Sequence, residues 1–81
     1  MDKSDIIRVI QNSIQKVAPD VNVLELDPEE DIRDELDLDS MDFMNLIILV
    51  STKTQVKIPE NDYNQVQTLN AMLHYITVRL G

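Results

Sequence analysis

The chain has 81 residues and a formal net charge of -8 from seven Lys+Arg against fifteen Asp+Glu, enough for one small core of short helices and too little for a deep catalytic cleft with its own supporting shell. The acidic excess repels phosphate backbones and anionic lipid and favours basic partners, so nucleic-acid binding is not expected. With no cysteine, no signal-like start in Met1-Asp2-Lys3-Ser4-Asp5 and no apolar run of membrane-spanning length, the sequence predicts a soluble cytoplasmic protein free of disulfides, thiolate nucleophiles and membrane insertion.

Ile6, Ile7, Ile10, Ile14 and Val17 recur at three- and four-residue spacing, which predicts a first helix over residues 4–17 with Ser4 or Asp2 placed to cap it. Pro19 ends it, because the residue before a proline is pushed out of the helical region. Residues 18–39 show no sustained period: Val21, Val23, Leu24, Leu26, Ile32, Leu36 and Leu38 are scattered among Pro28 and many carboxylates. The expectation there is a long acidic loop, pinned to the bundle by its leucines and valines.

Asp39 and Asp42 bracket the next helix start as N-cap and N3 residues, so a helix is expected to begin at Ser40. Its body, Met41 to about Lys53, is β-branched enough around Ile47-Ile48-Leu49-Val50 to pass for a strand. The cap, the stripe formed by Met44, Ile47, Val50 and Thr54, and the lack of a partner strand favour helix, with Met44, Leu46, Ile47 and Val50 in the core. Ile58-Pro59 breaks the chain, and residues 60–65 allow at most a short helical turn. Thr68 offers a cap for the last helix, whose Leu69, Met72, Leu73, Ile76 and Leu80, with Tyr75 alongside, are spaced to pack against the first. One domain over residues 1–81 is expected.

The sharpest chemical feature is Leu38-Asp39-Ser40-Met41-Asp42, a hydroxyl at an exposed helix N-terminus where free amides and the helix dipole favour a phosphate-bearing group. As a bare string it is weak, since four serines and ten aspartates in 81 residues give about 0.06 chance occurrences of Asp-Ser-x-Asp. The lone histidine, His74, lies near the far end of the chain and is assigned no role; Ser40 has no evident base, and an unactivated hydroxyl is a poor nucleophile. Asp37-x-Asp39 begins like a calcium loop, but its sixth position is Asp42 instead of glycine and its twelfth is Ile48 instead of glutamate, so no metal site is expected.

Over essentially its whole length the chain resembles the acyl carrier protein family. Asp39-Ser40-Met41-Asp42 matches the family's Asp-Ser-Leu-Asp, Val56-Lys57-Ile58-Pro59-Glu60 its Ile-x-Ile-Pro-Asp, and Tyr75-Ile76 its C-terminal pair, with no gap from Ser40 to Tyr75. The resemblance implies an all-α four-helix bundle with a long first loop and a short third helix. It also implies a carrier, not an enzyme, bearing 4'-phosphopantetheine on Ser40. A phosphopantetheinyl transferase would attach that arm from coenzyme A, usually with magnesium, and cargo would be held as a thioester on its thiol. Recognition would fall on the helix beginning at Ser40: Asp39 and Asp42 as acidic contacts, Met41 and Ile48 as apolar ones, meeting acyl-loading and acyl-transfer enzymes through basic docking patches, with the carrier itself a monomer. Asn45, Ser51, Thr52 and Lys53 stand where common fatty-acid carriers have glutamates, and Thr54-Gln55 replaces the usual Phe-Gly. Weaker steering toward basic patches points to a specialised acyl-transfer, lipid or polyketide-type pathway. An aminoacyl, D-alanyl or peptidyl carrier, and an unmodified acidic helical adaptor, remain as alternatives. Four methionines would ease repacking of an interior that shelters an acyl chain.

Overall fold

A computed structural model describes residues 1–80, and among these it contains helices and turns but no strand. Helix α1 (Lys3–Val17) begins with a capping box in which the Asp2 side chain accepts from the Asp5 amide and Asp5 reaches back to the Asp2 amide. Its inner face carries Ile6, Ile10 and Ile14, all sealed from solvent, while Ser13 beside them donates to the Val9 carbonyl at 2.8 Å. Ile7 is exposed, so the inward stripe is narrower than the periodic pattern.

The acidic stretch after Pro19 is more ordered than a loop. It holds a 3-10 turn at Val23–Glu25 and a one-turn helix, α2 (Ile32–Leu36). The Asp31 carboxylate caps α2 by accepting from the amides of Arg33 (2.9 Å) and Asp34 (3.2 Å), and Asp37 closes it in the left-handed region at φ 54°. One turn is too short to display a helical period, which is why the pattern missed it. A seam fixes this stretch to the bundle: the Ile32 amide donates to Gln67 O at 2.8 Å, the Asn70 amide to Pro28 O at 3.1 Å, and the Asn70 side chain to Glu29.

Helix α3 (Ser40–Thr54) packs chiefly on α1, turning Phe43, Leu46, Ile47, Val50 and Thr54 inward. Met44, expected in the core, is exposed, and Phe43 takes the buried place. Because α3 is apolar on nearly every side, its neighbours and not its own period decide which face is buried. The Thr54 hydroxyl donates to Val50 O at 2.7 Å, and Gln55 ends the helix in the left-handed region at φ 59°, the position where the family's usual glycine would carry no steric cost.

After Pro59, residues Glu60–Gln65 form a 3-10 turn, as expected. Thr68 then caps α4 (Leu69–Leu80) by accepting from the Ala71 amide at 3.0 Å. Met72, Tyr75 and Ile76 are buried, whereas Leu80 is exposed at the helix end. The all-α bundle with a long first connection and a short penultimate helix therefore agrees with the sequence-based fold class. No helix among the described residues is long and apolar enough to cross a membrane.

Tyr75 ties α4 to the turn before it. Its hydroxyl donates to Asp62 Oδ2 at 2.6 Å, and Arg79 lies over its ring (3.4 Å to the centroid) while approaching the same carboxylate at 3.7 Å. Burial, followed by the hydrogen bond to Asp62, raises the phenol's pKa above its ordinary 10.0. A pKa raised by folding means that the associated stability is whole below pH 10 and is lost as pH climbs through the raised value. Replacing Tyr75 by Phe should cost about 1 kcal/mol at neutral pH. Urea unfolding between pH 7 and 11 should also give the variant a flatter alkaline decline than the parent.

Candidate functional site

Three residues separate α2 from α3, and each has a distinct task. Asp37 turns the chain through its left-handed backbone, Leu38 plugs into the core, and Asp39 caps α3, its Oδ1 accepting from the Asp42 amide at 2.8 Å. Ser40 follows as the first residue of α3, with an exposed side chain. The first-turn amides have no acceptors within the helix and form, with the dipole, a positive end at the turn that carries Ser40. The expected cap and the expected helix start both agree with this arrangement.

The side-chain partner of Ser40 is Arg33, whose Nη2 donates to Ser40 Oγ at 3.2 Å. Arg33 sits on α2 with its guanidinium 5.9 Å from the centre of the Phe43 ring. Phe43 is in turn met edge-on by Tyr63 from the 3-10 turn, with ring centres 5.9 Å apart and planes at 83°. Arg33, Ser40, Met41, Phe43, Met44, Glu60 and Tyr63 line a shallow cleft of about 320 Å³. Reading the motif alone overlooked Arg33; the available signal was its isolation as the sole basic residue between Lys16 and Lys53, amid eleven carboxylates.

The other residues singled out in the sequence fall into two groups. Met41 (63% exposed) and Ile48 (51%) stand on the outer face of α3 with Asn45 and Thr52, and Met44 (36%) adds to the apolar area. Asp39 is exposed and Asp42 half-buried on the first turn. Ser51 departs from the expected surface set: it is half-buried, and its hydroxyl donates to Val56 O at 2.7 Å, tying down the end of α3. The loss of acidic character on the outer face therefore falls on Asn45, Thr52 and Lys53, all exposed. His74 is exposed on α4 and lies outside the residues around Ser40. Among the described residues, the carboxylates do not converge into a group of three able to hold a metal ion.

Residues 8–76 match the model of the family described as "Phosphopantetheine attachment site", which is most of the chain, and the chain belongs to this family of phosphopantetheine carriers. It is similar to a protein named acyl carrier protein from Acidothermus cellulolyticus, 25% identical over 76 residues that cover 94% of this chain and 89% of that one. The resemblance to acyl carrier proteins read from the motifs is thereby borne out. Carriers of this family are not enzymes themselves; separate enzymes modify them by covalent attachment of 4'-phosphopantetheine and then act on what they carry.

The residues here fit such a group: a solvent-facing hydroxyl, a helix end that favours negative charge, a guanidinium within reach and an adjoining cleft with apolar walls. The cap that fixes the hydroxyl is open to a stability test. Replacing Asp39 by Ala should lower stability by about 1 kcal/mol in urea unfolding followed by circular dichroism, and Asp39→Asn should recover most of that loss.

Proposed function

We propose that Ser40 is the attachment residue, and that the protein is a single carrier domain, acting as a cytoplasmic monomer, that serves a dedicated acyl-transfer or ligase pathway instead of the central fatty-acid cycle. The observation that carries the attachment is the exposed Ser40 Oγ on the first turn of α3, framed by Asp39 and Asp42 in the Asp-Ser-Met-Asp motif. When bound, 4'-phosphopantetheine supplies a terminal thiol on which acyl cargo is held as a thioester.

The chain's own residues present the hydroxyl and do no more. The side chain in contact with Ser40 Oγ is Arg33, a donor that accepts no proton, so activation of the hydroxyl must come from the phosphopantetheinyl transferase that uses coenzyme A. The amides and dipole of α3 offset part of the negative charge that modification brings. Docking of the transferase and of acyl-handling enzymes would use Asp39 and Asp42 for basic groups and Met41 and Ile48 for apolar contact.

The pathway reading rests on the outer face of α3. Asn45 and Thr52 are neutral and Lys53 is positive, so a basic docking patch is drawn to this helix mainly through its first turn. Apolar contact through Met41, Met44 and Ile48 then carries more of the recognition, which favours a partner shaped for this surface.

Intact mass after incubation with coenzyme A and a broad-specificity phosphopantetheinyl transferase should show one added prosthetic group on the parent and none on Ser40→Ala. Helicity should be unchanged in the variant, because one exposed hydroxyl is lost and alanine favours helix. An unmodified parent would favour the acidic adaptor. For the pathway, a housekeeping ketosynthase system should turn over the loaded protein poorly, and normal turnover there would refute the dedicated role.

A further inference from the structure

Arg33 is the one cation in an acidic region. Between Lys16 and Lys53 it stands alone against eleven carboxylates, with Asp31, Asp34, Glu35 and Asp37 all within four residues of it in sequence. A guanidinium in that company would be expected to pair with an acid. Yet the ion pair among the described residues is Asp62 with Arg79, and the Arg33 side chain instead reaches Ser40 Oγ at 3.2 Å.

Two features hold it there. The guanidinium lies 5.9 Å from the centre of Phe43, which is buried and braced edge-on by Tyr63. The backbone of Arg33 is fixed as well: its amide donates to the capping Asp31, and its carbonyl accepts from Leu38, the plug that precedes the α3 cap. The same short segment thus sets both Arg33 and Ser40. A serine hydroxyl gains little from a full positive charge, whereas a phosphodiester formed on that oxygen brings anionic oxygens two bonds beyond the atom already contacted, and guanidinium suits them in charge and in fork geometry.

We infer that Arg33 is a positioning residue that binds the phosphodiester formed at Ser40, restraining the arm at its root and relieving the repulsion between that phosphate and the surrounding carboxylates. The inference rests on Ser40 being the attachment residue. It adds a role for a side chain outside the attachment motif, seven residues upstream of it, on a different helix. The contact is exposed, so it weakens as salt is raised.

The test uses the full chain in apo and holo forms, with mass spectrometry confirming one arm on Ser40 before any spectrum is compared. In 15N-labelled protein the Arg33 guanidinium resonance should shift between apo and holo forms at low salt, and the shift should shrink at high salt. The 31P resonance of the holo protein should move in Arg33→Gln and return part of the way in Arg33→Lys, which keeps the charge but not the fork. Unfolding midpoints of the three apo proteins should agree, since the side chain is exposed, and a merely structural Arg33 would leave the 31P signal unmoved. If the arm is on Ser40 but the Arg33 resonance is the same in both forms, or the 31P signal is indifferent to Arg33→Gln, the clamp is overturned while the attachment stands. If no arm appears on Ser40, the attachment itself fails.

Discussion

The face that α3 turns toward α1 governs the position of everything around Ser40. Leu46, Ile47 and Val50 join Ile6, Ile10 and Ile14 in one core from which solvent is almost wholly excluded. Each such side chain contributes on the order of 1.5–3 kcal/mol by burial, so α3 cannot slide or roll without opening a void. Its first turn is therefore delivered to a fixed place. Leu38 and Ile32 extend the same core beneath the preceding segment, so the serine, its cap and the arginine above it are all anchored from below.

Electrostatics at that end is a balance of local opposites. The N-terminal turn of α3 favours negative charge, the nearby chain is crowded with carboxylates, and Arg33 is the only counter-charge of its neighbourhood. Among the described residues the side chain in contact with the hydroxyl is Arg33, which can only donate, and this suits a component that is acted on by others. A carrier able to activate its own serine would, before the arm is attached, invite reaction with whatever electrophile it met.

The parts that could be read from the sequence are those whose physics is local. The Ile6, Ile10, Ile14 spacing, the break at Pro19, and the caps at Asp39 and Thr68 each act within a few residues, and each is found where the pattern puts it. Helix α2 was illegible because a single turn has no period. The inward face of α3 was misjudged at Met44 because apolar residues surround that helix, leaving Phe43 to be chosen by its contacts with Arg33 and Tyr63. The Ser40–Arg33 contact depends on the left-handed turn at Asp37, and the seam from Ile32 to Gln67 joins segments far apart in the chain. Neither leaves a trace in spacing or composition.

The exposed Met41, Met44 and Ile48 would be a liability on a neutral protein, since a contiguous oily strip invites self-association. Here the strip belongs to a body with eight excess negative charges. Two copies with that net charge repel one another as they approach, whereas a basic surface meets attraction over the same approach. Charge thus acts as a filter on stickiness: it opposes self-association through the strip more than contact with basic molecules, and the filter fades as ionic strength rises.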